Sequence, residues 1–328
     1  MRKEQIFDRA PFTECHASSL LPLRHGGFLA VWFGGSKEGN DDVGIWGAIR
    51  RDGWTAPFPI AKLCDEPHWN PVLFRERSGR IALFFKVGRT IKDWRTWRTT
   101  SDDEGVHWSA AAELVPGDSE GGRGPVKNKP IELSDGAILA PASVEREQWR
   151  AFTDRSTDGG KSWQRSATVE IEAPDGVQAI QPTLWESAPG MVHMLLRTSA
   201  GEIFRSDSRD GGRSWGKAYP AGLPNNNSGI DLAKFPDGTL ALCANPAGTN
   251  WGPRNRLALF FSQDNGIHWS EPFDLENEPD GEFSYPAVIA LPGDGLAVTY
   301  TWRRRGIVFF RAALDELVRL TEPVPAEA

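Results

Sequence analysis

Ser156-Thr-Asp-Gly-Gly-Lys-Ser-Trp163 decides the fold, because its skeleton Ser-x-Asp-x-Gly-x-x-Trp occurs four times in the chain. The other copies are Ser101–Trp108, Ser208–Trp215 and Ser262–Trp269. A degenerate fifth copy retains only Arg51-Asp-Gly-Trp54. Along the chain, the five tryptophans are 54, 55, 52 and 54 residues apart. A fixed period in this range is typical of a repeat architecture in which each copy belongs to one structural unit.

The residue types of this box indicate a turn. Asp followed by Gly favours a hairpin, because Gly accepts a positive φ and the carboxylate can accept hydrogen bonds from turn amides. The Ser hydroxyl can close the same turn, and the Trp offers a large apolar body that packs between neighbouring units. We therefore interpret the boxes as structural elements at outer turns, remote from any functional site.

A second periodic feature consists of six short hairpins, each with a turn followed by an apolar run. Their turns are His25-Gly-Gly27, Ser78-Gly-Arg80, Ser134-Asp-Gly136, Ala188-Pro-Gly190, Pro236-Asp-Gly238 and Gly293-Asp-Gly295. Near-continuous apolar strands between turns are typical of sheets that are buried on both faces. The sequence therefore predicts an all-β, six-bladed β-propeller as a single domain over residues 1–328, with Gln5–Arg9 closing the ring.

Composition restricts the partners. The net charge of −7 disfavours a nucleic-acid partner, so that any basic site has to be local. The three cysteines, Cys15, Cys64 and Cys243, are far apart and fit no zinc spacing, and we predict neither a metal nor a cofactor. Reduced thiols, together with the lack of an apolar run typical of a signal peptide or membrane span, lead us to expect a cytoplasmic protein without a membrane partner.

The strand before each hairpin is predicted to be the innermost of its blade and to begin at one mouth of the central channel. Four of these strands begin with a polar residue before proline, which is tolerated there because that amide need not join the ladder. The strands that return from the hairpins end at the same mouth. The resulting set is polar, mixed in sign and rich in cations: His16, Lys37, Glu38, Asp41, Asp42, Asn70, Lys86, Arg89, Lys127, Lys129, Glu145, Gln181, Arg197, Asn227, Tyr285 and Arg303.

Cations that converge on a pocket favour a carboxylated substrate, since Arg binds a carboxylate through two parallel hydrogen bonds. Carboxylates among them could act as a general acid and base. Tryptophans near these loops could stack on sugar rings; they are Trp32, Trp69, Trp94, Trp97 and Trp302. We therefore expect an acidic mono- or oligosaccharide as the partner.

The boxes, their period and the blade count resemble the sialidase (neuraminidase) superfamily, whose repeats are called Asp-boxes. The resemblance covers nearly the whole chain and is closer still to the bacterial "predicted sialidase" or BNR-repeat group. The runs that carry the closer match are Trp32–Glu38, Trp69–Leu73, Gly124–Pro130, Ile180–Pro182, Asn225–Gly229 and Ser284–Pro286. It implies a retaining exo-glycoside hydrolase with a Tyr nucleophile polarised by a Glu, an Asp acid/base, and three Arg around the substrate carboxylate.

Under this resemblance Tyr285 is the nucleophile and Asp42, or its neighbour Asp41, is the acid/base. Arg197 matches the second arginine, while Arg303 or Arg304 lies near the third. The first-blade arginine has no match, since the aligned region reads Phe12-Thr-Glu-Cys-His16.

The glutamate partner of the nucleophile aligns with Gln181, whose neutral amide cannot take the phenol proton. Lys129 and Glu145 are the candidates to replace that function.

We accordingly expect an exo-glycosidase for an acidic sugar, either sialic acid or a uronate-containing glycan. The predicted catalytic residues are Asp42, Tyr285, Glu38 and Glu145. The predicted substrate-binding residues are His16, Lys37, Asn70, Lys86, Lys129, Gln181, Arg197, Asn227 and Arg303.

Two alternatives stay open. In a polysaccharide lyase acting on uronate glycans, the cations would neutralise the carboxylate while Tyr285 or His16 moved the proton. In a non-catalytic glycan-binding propeller, the same cationic and aromatic side chains would act without an acid/base pair.

Overall fold

The computed structural model describes residues 1–173 and 176–321, so residues 322–328 of the predicted domain lie outside the described part. It contains six four-stranded antiparallel sheets, five of them meanders of successive strands and the sixth formed by the last three strands and the N-terminal strand. The six sheets are arranged as blades around a central channel, and the predicted six-bladed β-propeller is confirmed. No helix of the described residues is long and apolar enough to cross a membrane.

The strands have the following bounds. Strand β1 (Arg2–Gln5) precedes blade 1, which consists of β2 (Glu14–Pro22), β3 (Phe28–Gly35), β4 (Gly44–Arg50) and β5 (Phe58–Ala61). Blade 2 consists of β6 (His68–Arg75), β7 (Ile81–Val87), β8 (Arg95–Ser101) and β9 (Ala112–Glu113), and blade 3 of β10 (Ile131–Glu132), β11 (Ile138–Glu145), β12 (Trp149–Ser156) and β13 (Gln164–Arg165).

The second half of the ring repeats this plan. Blade 4 consists of β14 (Ala179–Ala188), β15 (Met191–Thr198), β16 (Glu202–Ser208) and β17 (Tyr219–Pro224), and blade 5 of β18 (Asp231–Lys234), β19 (Leu240–Ala244), β20 (Arg256–Ser262) and β21 (Phe273–Asn277). Blade 6 contains β22 (Phe283–Leu291), β23 (Gly295–Trp302) and β24 (Gly306–Ala313), and helix α1 (Leu314–Thr321) follows it.

The ring is closed by the N-terminal strand. Strand β1 pairs antiparallel with β24, with Arg2 opposite Arg311 and Gln5 opposite Val308. Closure by the N-terminal segment is therefore confirmed, but the predicted bounds, Gln5–Arg9, were wrong. Strand β1 lies at a sheet edge with polar side chains on both faces, so it lacks the alternation that marks a strand in a sequence.

Apolar layers between neighbouring blades form the core. Val31 of blade 1 and Leu83 of blade 2, for example, belong to one buried cluster. Leu317 of helix α1 is buried in the layer between blades 5 and 6. Since each blade is covered on both faces, its inner strands are apolar almost throughout, as the sequence indicated.

The four complete boxes lie between the third and fourth strands of blades 2 to 5. In blade 3, Ser156 Oγ accepts a hydrogen bond from Gly160 N–H (2.8 Å) and donates one to Asp158 (2.8 Å). Asp158 also accepts from the backbone and hydroxyl of Ser162, at 2.9 and 2.6 Å. Trp163 packs edge-on against Phe84 of blade 2. The turn thus binds its own polar groups, while its Trp joins adjacent blades.

A second repeated feature lies at the start of the inner strands. Four of them shift register against their partner strand, as at a β-bulge, and each shift contains a non-glycine residue with positive φ. These residues are Ala17 (55°), Asn70 (41°), Gln181 (50°) and Tyr285 (54°). Bulges re-aim side chains, and left-handed non-glycine residues are strained and cluster at functional sites. Four blades therefore use the same strained backbone at the same end of the channel.

Candidate active site

Tyr285 lies at the centre of the channel mouth, at the bulge that begins β22. Its hydroxyl accepts a hydrogen bond from Arg197 Nη1 at 2.9 Å. Its ring lies 4.2 Å from the ring of His16, measured between centroids. In the part of the chain that the structure describes, no carboxylate hydrogen-bonds to this hydroxyl, so its described partner is a cation.

Arg197 comes from the end of β15 and is only 3% exposed. Its Nη1 also donates to Gln181 Oε1 (3.0 Å), and its Nε donates to Asn227 Oδ1 (2.7 Å). A guanidinium always carries its charge and has no acceptor. These neutral amides and the phenol fix Arg197 in place without cancelling its charge, which leaves that charge available to an acidic ligand.

Two further guanidiniums lie around Tyr285. The Cζ atom of Arg254 is 5.7 Å from the centre of the Tyr285 ring, and burial lowers the pKa of Arg254. Arg304 forms ion pairs with Glu38 and with Glu282 Oε1, the latter at 3.3 Å. Burial opposes the charged form of Arg304, but these two carboxylates outweigh it and raise its pKa.

Lys127 is the fourth basic side chain near Tyr285. Its Nζ lies 5.8 Å from the centre of the Tyr285 ring and donates to the carbonyls of Ile230 (2.9 Å) and Pro286. Burial lowers the pKa of Lys127 to about 7. Lys127 lies as many residues before the hairpin turn of blade 3 as Gln181 lies before the turn of blade 4, and Tyr285 lies within one residue of the same distance in blade 6.

His16 is neutral among these charges. Burial, followed by the positive charges of Arg304, Arg254, Lys127 and Arg197, holds its pKa well below the usual value. Its Nδ1 lies 2.9 Å from Thr301 Oγ1, which leaves the second ring nitrogen for other contacts. The surrounding cations therefore oppose protonation of His16 and keep its imidazole neutral.

Two indoles flank Arg197. Its Cζ lies 5.7 Å from the ring centres of both Trp149 and Trp251, which pack edge to face with centroids 6.0 Å apart. Trp251 is 61% exposed. Asn226 Nδ2 anchors its loop by donating to Pro253 O at 2.6 Å. The pair forms an aromatic corner beside the buried cation.

The structure brings several predicted residues together around Tyr285. Arg197 contacts it directly, Gln181 and Asn227 bind Arg197, Glu145 binds Gln181, and His16 packs on the ring.

Three other predicted residues lie in different surroundings. Asn70 takes the equivalent bulge of blade 2 and is buried, whereas Lys37 is exposed. Lys86 is buried, with its Nζ 2.8 Å from the carbonyl of Arg123, and burial lowers its pKa to about 7.

Lys129 lies toward the opposite end of the channel. Its Nζ donates to Asp231 Oδ2 and Leu232 O, both at 2.8 Å, and its side chain lines a cavity with Pro22 and Ile289. In blade 3, the residue before proline, Lys129, lies at least two residues closer to the hairpin turn than the corresponding residues of blades 2, 4 and 6. That shift moves Lys129 along the channel and puts Lys127 at the mouth.

Arg303 and Arg304 diverge, although they are adjacent. Arg303 pairs with Glu278 at 2.6 Å and lies over Trp302, whereas Arg304 joins the cations around Tyr285 and His16. Of the two residues that the sequence left open, Arg304 is the one in the site.

The loop between β3 and β4 holds the predicted acids. Asp42 accepts hydrogen bonds from Ser36 N–H (2.8 Å) and Ser36 Oγ (2.9 Å), while Asp41 pairs with Arg89 at 3.0 Å. Glu38 reaches the cations through its ion pair with Arg304. Among the described residues no three His, Cys, Asp or Glu side chains come together as metal ligands.

The sequence analysis missed Arg254, Trp149 and Trp251. Arg254 and Trp251 lie in the loop between β19 and β20, beyond the strand end at Asn245 that the sequence analysis aligned. The available signal was an Arg and a Trp in a long loop that leaves an inner hairpin. The stacking role expected of Trp32, Trp69 and Trp94 was wrong, because all three are buried within the blades.

The sequence matches the family described as "BNR repeat-like domain" over residues 26–298. The chain belongs to this family. This match and the similarity to known sialidases make it a BNR-repeat protein of the sialidase superfamily with a sialidase-type propeller.

Curated relatives are sialidases. The chain is 25% identical over 245 residues to the sialidase of Micromonospora viridifaciens, which covers 65% of this chain and 36% of that protein. It is 29% identical over 194 residues to a Vibrio cholerae sialidase, which covers 50% of this chain and 24% of that protein. The chain therefore aligns with only about a quarter to a third of these relatives' length.

Solved structures share the fold at low identity. The microbial sialidase Hz136 superposes with a TM-score of 0.79 at 16% identity, covering 92% of this chain and 66% of that one. The Ruminococcus gnavus intramolecular trans-sialidase gives 0.73 at 14%, with 96% and 97% covered. A protein of unknown function from Dyadobacter fermentans gives 0.77 at 15%, with 95% and 97% covered.

Proposed function

We propose that this protein is an exo-glycosidase that releases an acidic sugar, either a sialic acid or a uronate, from a glycan. The observation that carries the proposal is the group of guanidiniums around one phenol: Arg197 donates to the Tyr285 hydroxyl, and Arg254 lies 5.7 Å from the Tyr285 ring. Converging guanidiniums suit a planar carboxylate, which binds them through parallel charge-assisted hydrogen bonds. The protein is acidic overall, so this local positive charge points to an anionic ligand.

Tyr285 is the group that faces the anomeric carbon. The strained bulge directs its side chain into the mouth, where Arg197 donates a hydrogen bond to its hydroxyl oxygen. Gln181 stands where the resemblance expects a carboxylate, and an amide cannot take the phenol proton. Tyr285 therefore acts either as the nucleophile, with retention, or as a stabiliser of an oxocarbenium-like transition state that water attacks, with inversion.

Asp42 is the proposed general acid. It belongs to the loop that also brings Glu38 to Arg304, so a carboxyl group from this loop is available at the mouth. Asp42→Asn is expected to lower kcat by roughly 100-fold, the scale of a lost general acid. The matched variant Glu38→Gln separates the two: if only Glu38→Gln has this effect, the acid is Glu38.

The lyase alternative is favoured by one specific observation, the contact between neutral His16 and the Tyr285 ring. A neutral imidazole beside a phenol, with cations to neutralise a carboxylate, could move the proton next to that carboxylate. The glycosidase is preferred because the guanidiniums of Arg197 and Arg254 converge on one phenol, an arrangement that suits the carboxylate of a terminal acidic sugar.

Product analysis tests the proposal. Purified protein would be incubated with sialylated and uronate-terminated oligosaccharides, and the products followed by mass spectrometry and proton NMR. Release of a reducing acidic monosaccharide supports the glycosidase, and the first-formed anomer distinguishes retention from inversion. An unsaturated uronate, seen by ultraviolet absorbance, would select the lyase. Binding without any product would select the glycan-binding propeller.

A further inference from the structure

Glu145 lies behind Gln181, on the side away from Arg197. It ends strand β11, and its two carboxylate oxygens accept hydrogen bonds from Gln181 Nε2 at 3.1 and 3.3 Å. Ser143 Oγ donates to the same carboxylate at 3.1 Å and also accepts from the backbone N–H of Gln181 at 3.2 Å. Both ends of Gln181, backbone and side chain, are thereby tied to strand β11.

The orientation of the Gln181 amide follows from its two neighbours. Arg197 can only donate, so the amide atom that faces it has to be the oxygen. Glu145 as a carboxylate can only accept, so the atom that faces it has to be the nitrogen. The carboxylate and the guanidinium therefore impose the same orientation from opposite sides.

We propose that Glu145 is a positioning residue of this site: it fixes the amide of Gln181 and, through that amide, holds the guanidinium of Arg197 against Tyr285. The role rests on the proposed glycosidase activity, in which Arg197 binds the carboxylate of the substrate. The resemblance expects a carboxylate that takes the phenol proton directly. Glu145 is instead connected to Tyr285 through Gln181 and Arg197, and it acts on the phenol through them.

The electrostatics of Glu145 are a balance between burial, which opposes its charge, and its polar neighbours, which favour it. Burial raises its pKa above the usual value, while the nearby charge of Arg197 and the hydrogen bonds from Gln181 and Ser143 oppose the shift. A buried carboxylate that binds neutral donors beside an uncancelled guanidinium stabilises that guanidinium over a distance. Glu145 can do so without forming an ion pair that would compete with an acidic ligand.

Exchange of the two side chains provides the test. Gln181→Glu alone would put two carboxylates face to face, and their repulsion is expected to lower kcat/KM by about tenfold or more near neutral pH. At lower pH one of the two binds a proton, and kcat/KM should recover. In the double variant Glu145→Gln/Gln181→Glu, the carboxylate at position 181 can accept from both Arg197 and the new amide. We expect this exchange to restore kcat/KM to within about threefold of wild type, a non-additivity typical of residues in direct contact.

Truncation separates positioning from general stability. Glu145→Ala leaves Gln181 Nε2 without its acceptor, and the KM for an acidic substrate is expected to rise about tenfold with a smaller change in kcat, the scale of one buried hydrogen bond. Glu145→Gln keeps an acceptor for Gln181 and should change KM only about twofold to threefold. The matched control is Glu147→Ala, since Glu147 lies on the same hairpin but is 75% exposed and pairs with Lys92.

A second readout does not depend on activity. The Nε–H signal of Arg197 in a nitrogen-edited NMR spectrum, assigned with Arg197→Lys, should shift or broaden in Glu145→Ala and stay unchanged in Glu147→Ala. If the wild type cleaves no acidic glycoside, the proposed function fails, and this signal still decides whether Glu145 holds Arg197. An unchanged signal and KM in Glu145→Ala, or a double variant no better than Gln181→Glu, would overturn the role of Glu145.

Discussion

The outer box turns and the inner bulges are both repeated around the ring, but the turns repeat side chains whereas the bulges repeat a backbone conformation. At the outer turns the side chains repeat: Ser156 and Asp158 form the same hydrogen bonds as Ser208 and Asp210 one blade later. At the inner bulges the backbone repeats, with φ near +50° in four blades, while the side chains differ. Repeated side chains indicate a structural demand that every blade shares. A repeated backbone with changing side chains indicates a scaffold on which one particular site is built.

Loss of the Tyr285 hydroxyl should have the largest effect. Tyr285→Phe keeps the bulge and the ring but removes the oxygen that Arg197 binds, so kcat on an acidic glycoside is expected to fall by roughly 100-fold or more. Steady-state kinetics would measure it. The control is Tyr219→Phe, which removes a hydroxyl that binds Asp207 on an outer strand. If both variants keep wild-type turnover, the chemistry lies elsewhere.

Arg197→Ala should raise the KM for acidic substrates by roughly 10- to 100-fold, as expected for a lost charge-assisted hydrogen bond. It should also lower the free energy of unfolding by about 1–3 kcal/mol, because Gln181 Oε1 and Asn227 Oδ1 lose their donor in a buried place. Kinetics and thermal unfolding would be compared with Arg303→Ala, whose guanidinium pairs with Glu278. A wild-type preference for neutral glycosides would contradict the carboxylate role.

The sequence predicted the ring, the outer turns and the starts of most inner strands, because all three depend on local signals. Asp-Gly turns and a polar residue before proline are readable without knowledge of the contacts. These signals also predicted Tyr285, Gln181 and Arg197, which end or begin strands whose register the hairpins fix and which the structure brings into contact.

The remaining members of the site depend on tertiary contacts. Trp251 lies in a loop whose position is set by hydrogen bonds from Asn226, not by its own sequence. Lys129 was misplaced because blade 3 is two residues shorter before its turn, and register decides which residues face the mouth. Arg303 and Arg304 are adjacent, and the choice between them required Glu278 and Glu38, which are distant in sequence.

The aromatic corner should have an intermediate effect. Trp251→Ala is expected to lower kcat/KM for an acidic disaccharide by about threefold to tenfold, the scale of one aromatic contact, because the sugar next to the cleaved bond loses a stacking face. The activity on a glycosyl fluoride, which lacks that second sugar, should stay near wild type. Ile267→Ala removes an exposed apolar side chain from an outer turn as a control. Equal losses on both substrates would assign Trp251 to the first sugar instead.

A substitution at an outer turn should have the smallest effect on activity and so completes the comparison. Ser156→Ala removes the hydroxyl that accepts from Gly160 N–H and donates to Asp158, and the buried amide then lacks a partner. We expect a loss of about 1–2 kcal/mol in the free energy of unfolding, with kcat and KM within about twofold of wild type. Thermal unfolding and kinetics on the same sample would measure both. If kcat falls while the unfolding midpoint stays unchanged, the outer turns communicate with the mouth, and the division between a structural repeat and a functional one does not hold.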